Sequence, residues 1–295
     1  MDIFMLIAAF GGGVMGAAMG AVGSFVVVGA LAVIGGSIGL AGGADAIVGN
    51  LAFGSYIGPH VAFAGGVAAA AFGANKKKSH ASGMDIGKPL HSVNDPSVLI
   101  AGGCFGIIGF LLLHIYANVL AIPTDNVALT VFTSAVIARF AFGTGGLFGS
   151  YTPPKGKPSA PRQWFPEGNA LMNCIVLGLG VGIMVSGVGL HLIQIGVPLD
   201  LVQGFFPPIT FGIAALTLVF ALMGHGIPAT HHIALPAALA AVLSQNLIVG
   251  IVFGIICSVF GDVAGKAWNS HSNTFIDPPA TVIFTTTFII LAIWG

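Results

Sequence analysis

The sequence predicts an all-α polytopic integral membrane protein, with about ten membrane segments arranged as two five-element repeats. Three observations carry that expectation. The first is composition: hydrophobic residues make up 56% of the 295 and charged residues only 6%, with a mean hydropathy of +1.00. A soluble domain carries about 25% charged residues, so this chain cannot cover a water-facing surface and belongs in lipid. The second is the recurrence of apolar runs, separated by short polar turns, along the whole chain. The third is that both halves repeat one order of long and short segments.

Taken in order, residues 3–20 and 23–40 are two glycine-broken apolar runs, too long together for one span. The start lacks a basic n-region, so the first run reads as a retained span rather than a cleaved signal peptide. Residues 41–55 form a mixed loop with Asp45 and Asn50, and 57–74 is a short apolar segment. Lys76, Lys77 and Lys78 then open a polar loop that runs to Pro96. Residues 97–120 read as a span, Pro123-Thr124-Asp125-Asn126 as a turn, and 127–142 as the next span, with Arg139 near its end. The stretch 143–168 is rich in Pro and Gly, carries Lys155, Lys157 and Arg162, and holds the sole glutamate, Glu167. It is the natural boundary between a first repeat at 1–142 and a second at 169–295. The second half follows with 169–192, 201–223, a short segment at 231–244, then 247–263 and 280–294.

The halves also align residue by residue. Leu99–Ile108 lines up with Leu247–Ile256, an offset of 247 − 99 = 148. His60 pairs with His232 at an offset of 172, and Asp125 with Asp277 at 152. Matches in one order along the chain predict an internal duplication. Five crossings per repeat would invert the second relative to the first. With the N-terminus outside, the loops at 75–96, 143–168 and around Lys266 all fall inside, as the positive-inside rule asks. If the two short segments instead re-enter, each repeat crosses four times and Lys266 moves to the other side.

Glycine is the commonest packing signal, at 45 residues. Gly12, Gly16 and Gly20 run at i+4, and Gly102/Gly106 recur as Gly250/Gly254. Small residues one turn apart let helices approach closely in lipid. Cys104, Cys174 and Cys257 sit in apolar runs at no metal-ligand spacing, and read as free thiols. Net charge is zero, so nothing points to nucleic acid. The Gly11-x-Gly13-x-x-Gly16 match to a dinucleotide fingerprint lacks a preceding strand and is discounted. No Walker A, HExxH, GxSxG or CxxC pattern occurs, so neither an ATP-driven pump nor an enzyme is expected, and no cofactor is assigned.

Candidate functional residues gather where the short segments begin. Gly224 to Pro236 places His225, Thr230, His231 and His232 at the mouth of a segment of about a dozen residues, where a span takes roughly 20. Pro59 and His60 head the weaker copy in the first half. Intramembrane ionisable groups are functional by default, and imidazole titrates near neutral pH. The bland reading places these histidines at the headgroups. Being adjacent, His231 and His232 diverge by about 100° on a helix and cannot both face one path; metal ligation is not expected. His114 and Asp262 hold equivalent positions, at an offset of 148, and a symmetry-related histidine is a candidate partner for that carboxylate. Arg139 reads as a snorkelling anchor. Asp45, Asp125 and Asp277 read as helix caps, and the Thr285-Thr286-Thr287 run as a polar path or as bonds back to the helix.

Ala8-Ala9-Phe10-Gly11-Gly12-Gly13, together with Gly58-Pro59-His60-Val61-Ala62-Phe63-Ala64-Gly65-Gly66, resembles a family of uncharacterised prokaryotic multi-pass membrane proteins. The resemblance implies a bacterial or archaeal cytoplasmic membrane and brings no activity with it. The expected function is a channel or secondary transporter for a small solute or ion, along a path between the repeats at the histidine-headed short helices. Expected partners are the lipid bilayer, that solute, and further copies of the chain. Two rival expectations remain: an oligomer-forming structural protein without transport, and a membrane subunit of a larger enzyme or redox complex.

Overall fold

A computed structural model describes residues 2–44 and 46–295; Asp45, expected to cap a helix, lies outside them. The described chain is helical throughout, with one isolated bridge between Gly83 and Thr274 in place of any sheet. Its helices are α1 (Ile3–Met19), α2 (Ala21–Leu40), α3 (Ala62–Phe72), α4 (Pro96–His114) and α5 (Asn126–Phe142), then α6 (Gly168–Gln194), α7 (Leu199–Leu216), α8 (Leu218–Leu222), α9 (His231–Ser244), α10 (Leu247–Trp268) and α11 (Pro278–Trp294). Helix α4 runs on through a wider turn to Val119, and α7 through α8 to Leu222. Five helices are thereby long and apolar enough to cross a membrane: α2, α4, α6, α7–α8 and α10. That marks a membrane protein. Helices α1, α5, α9 and α11 are apolar but shorter.

Local chemistry sets the helix ends. The carboxylates of Asp2, Asp95, Asp125 and Asp277 each accept a backbone N–H from the first turn that follows. Asn246 does the same for α10. Each such cap satisfies one of the donors a helix start leaves free. Gly20, at φ 81°, separates α1 from α2 in a conformation that a side chain would strain. The expected segment at 57–74 becomes helical only at Ala62, because Gly58 and Pro59 hold the chain before it in turns.

Four helices form two closely packed pairs, α1 on α4 and α6 on α10. Each pair is antiparallel and closes through glycine. A Cβ at Gly106 would meet the Ala9 carbonyl and the Gly13 Cα, and one at Gly254 would meet the Gly178 carbonyl and the Gly182 Cα. Contact of this kind maximises dispersion where lipid removes the hydrophobic drive between helices. Between these pairs, α2 packs on α7. Gly29 faces Gly212, Gly36 faces Ile209 and Gly39 faces Phe205, so the two helices run antiparallel. The short helices α3, α5, α9 and α11 fill the middle. The largest core cluster draws on α2, α3, α5, α7, α9 and α11 together, with Phe25, Val67, Val131, Phe211 and Leu235 among its members.

The basic loops collect on one face. Asn75 Nδ2 donates to the Asn273 carbonyl at 3.1 Å, and Asn273 Nδ2 to Asn75 Oδ1 at 3.0 Å. Arg162 donates to the Lys266 and Ala267 carbonyls at 3.0 and 2.7 Å. Lys266, expected in a loop, lies in the last turn of α10, and that helix end lies with the loops at 75–96 and 143–168, so that all nine Lys and Arg sit in or beside these three segments. Arg139 does not snorkel as expected. It is 2% exposed and donates to the carbonyls of Leu147 and Trp268 at 2.6 and 2.7 Å and to Thr274 Oγ1 at 2.9 Å. The linker and the turn before α11 supply carbonyls that wrap the guanidinium, so it has no need of headgroups.

A candidate site where four helices begin

The starts of α3, α5, α9 and α11 meet in the centre of the fold. Helix α3 begins against the middle of α4: a Cβ at Gly109 would overlap the His60 carbonyl. Helix α9 begins against α10 in the same way, with the His232 ring on Gly261. Helices α5 and α11 cross near their first turns, where the Phe132 and Phe284 rings lie 5.4 Å apart and Thr124 Oγ1 donates to the Phe284 carbonyl.

These starts line a half-open chamber of about 30 Å³. Pro59 from the approach to α3, His231 from α9, and the caps Asp125 and Asp277 contribute to its wall. Four rings complete the lining: Phe25, Phe53, Phe63 and Phe211. Phe25 stands 5.4 Å from Phe63 and 5.3 Å from Phe211, and Phe53 stands 5.5 Å from Phe211. A single water needs about 10–15 Å³ of such space, so the chamber takes one or two water-sized species.

Each chamber carboxylate holds its own helix with one oxygen. Asp125 Oδ1 accepts from Ala128 N–H and Asp277 Oδ2 from Ala280 N–H, both at 2.8 Å. Helices α3 and α9 have no side-chain cap. The chamber therefore receives four positive helix ends, of about half a charge each, two of them matched by their own caps. His231 is 4% exposed, its ring 4.8 Å from that of Phe25, and its Nδ1 has no hydrogen-bond partner among the described residues. A second cavity, of about 310 Å³, adjoins the chamber and shares Phe25, Phe63, His231 and Asp277 with it. Its other walls include Ile86, Ala229 and Phe275, which place it towards the face of the basic loops.

The residues singled out in the sequence divide between this chamber and its surroundings. His231 and Pro59 line the chamber, at positions related by the same offset of 172 that pairs His60 with His232. His60 and His232 are buried one residue further on; the His60 carbonyl meets α4 while its ring lies by Gly58, and the His232 ring meets α10. The His231 and His232 rings stand 84° apart, the divergence that adjacent helical positions require. Thr230 lines a separate groove between α6, α7 and α9. His225 is exposed in the loop before α9. His114 closes α4 half-buried, and the partner of Asp262 is Lys266 rather than His114. Asp125 and Asp277 were legible as caps but not as chamber walls. The signal was present in their pairing at a fixed offset within a chain of so few carboxylates.

A family model matches residues 1–155 and again residues 155–295, and the chain belongs to that family, a family of unknown function (DUF7973). No match is found among curated proteins or solved structures.

Proposed function

We propose that the protein is a channel or secondary transporter of a prokaryotic cytoplasmic membrane, moving a small solute or ion between two five-helix repeats of inverted topology. The observation that carries this reading is the chamber itself. Four helix starts, two carboxylates and a buried imidazole surround a space of about 30 Å³ at the centre of the fold, and a larger cavity leads from it towards one face. Broken helices whose ends converge at the membrane midplane are how transporters expose backbone groups and dipoles to a ligand.

Inversion finds support in packing. Helices α2 and α7, second in each half, run antiparallel, and α5 and α11, last in each half, cross near their starts. The double match of the family model is in keeping with a duplication. The position of Lys266 beside the other basic loops favours five crossings per half, with those loops in the cytoplasm. Phe25, Phe63 and His231 separate the chamber from the larger cavity and act as the gate between them.

The test is flux through liposomes that contain the purified protein, using a panel of small neutral solutes and monovalent ions. Ala280, a buried chamber wall, is replaced by Phe to fill the space. At least one solute should cross, and Ala280→Phe should cut its rate at least tenfold while the protein stays monodisperse. Equal flux through the plugged variant would refute the path.

A further inference from the structure

The walls of the chamber also point to what it holds. We propose that it binds a small monovalent amine cation, ammonium or a methylated ammonium, by its carboxylates and aromatic faces; the proposal rests on the conduit reading of this same chamber. Charge is the first argument. Asp125 and Asp277 face the space while no Lys or Arg lines it. Four helix ends of about half a charge each roughly balance two ionised carboxylates, so no net positive field is left to draw an anion. An anion would meet both carboxylates in a water-poor site, where repulsion is least screened.

Donor chemistry is the second. An ammonium ion needs hydrogen-bond acceptors rather than a metal's fixed shell. Each carboxylate has an oxygen beyond the one that caps its helix. His231 adds an unpartnered Nδ1 in a side chain that is 4% exposed.

The third is the remaining surface. Phe25, Phe53, Phe63 and Phe211 present rings around the same space. Aromatic faces attract cations through their quadrupole, most strongly when desolvated, and recognise ammonium groups in particular. Ammonium is water-sized and fits a chamber of about 30 Å³. A methyl group would point past His231 into the adjoining cavity, whose walls are mostly apolar.

Binding of radiolabelled methylammonium to the purified protein, read by scintillation proximity, tests this directly. We expect saturable binding that ammonium displaces and that sodium or potassium at equal concentration does not. The double variant Asp125→Asn, Asp277→Asn should bind at least tenfold more weakly yet remain folded, since Asn also caps helices. His231→Phe should weaken binding severalfold. No saturable binding, equal displacement by alkali ions, displacement by nitrate or chloride, or unchanged affinity in the double variant would each overturn the proposal. The liposome assay separates the two readings. If a neutral solute crosses and Ala280→Phe blocks it while methylammonium does not bind, the amine proposal fails and the conduit stands. Carboxylate-dependent binding without flux of any solute leaves the amine site in place and ends the conduit.

Discussion

The approaches to the two short helices occupy equivalent positions and present different chemistry. The turn before α3 offers Pro59 to the chamber and sets the His60 carbonyl against α4; helix α9, which begins at the pair itself, offers His231 and turns the His232 ring against α10. In each half the second residue of the pair is a buried histidine, whereas the chamber-facing residue is an inert ring in one half and a titratable one in the other. The scaffold is held in common and the working surface is not. Behind α3, the His60 carbonyl sits on Gly109; the position 148 residues later is Cys257, whose thiol packs with Ile233 and Val282. The first half thus seats backbone on backbone where the second seats a side chain in a small apolar cluster.

The largest effect should come from making the halves alike at that seat. Gly109→Cys drives a side chain into the His60 carbonyl, and overpacking of a filled core costs about 1–3 kcal/mol or more. We expect loss of the monodisperse species in size-exclusion chromatography. Cys257→Gly removes only a small buried side chain and should lower stability by about 1–2 kcal/mol in a denaturation series. Comparable losses in both variants would erase the distinction between the seats.

Next come the adjacent histidines. His232→Ala leaves a hole against Gly261 and should reduce stability by about 1–3 kcal/mol with transport of the surviving protein near normal. His231→Ala should do the reverse, with a several-fold change in flux and a small shift in melting temperature. If the two exchange phenotypes, the chamber has been assigned to the wrong face of α9.

Smaller again is the cap of α11. Asp277→Ala should cost about 1 kcal/mol beyond Asp277→Asn, because only the latter keeps the bond to Ala280 N–H. Thermal denaturation of the two variants side by side gives the difference. The smallest effect lies outside the membrane, at the cap of α4. The Ser97 hydroxyl and backbone N–H hold the Asp95 carboxyl below its ordinary value, with Lys77 adding to the shift. A carboxylate depressed in the folded state contributes stability above its unfolded pKa, and the contribution fades as pH falls through the folded one. Wild type should therefore lose a little stability on acidification below about pH 4 that Asp95→Asn does not lose. Identical acid limbs for the two proteins would remove Asp95 from the account.

Much of the scaffold was legible because lipid imposes simple rules on sequence. Apolar length marked five helices able to cross a membrane out of about ten segments expected, since α1, α5 and α11 are shorter; the shortness of 57–74 and 231–244 marked interior helices, and lysine position grouped the basic segments. Which member of each histidine pair faces the chamber was not legible. It depends on helix rotation, and no polar stripe records that in helices apolar on every side. Asp125 and Asp277 read correctly as caps, but they become neighbours of one space only because α5 and α11 cross at their starts, a contact between residues more than 150 positions apart. Arg139 was misread for a related reason: three of its acceptors are backbone carbonyls, which every residue carries and no motif announces.

That arginine has a consequence for biosynthesis. Of its acceptors, only the Leu147 carbonyl, in the linker, precedes the second half; Trp268, Asn269 and Thr274 emerge from the ribosome some 130 residues after the arginine. Until then a cation at the end of α5 lacks its receptors, and hydrocarbon would penalise it. The end of α5 must wait at the aqueous boundary while the translocon inserts α6 to α10, and settles only when the second half closes over it. Expressed as separate polypeptides, the halves would each lack part of this latch, so reassembly of the split chain would depend on arginine at position 139.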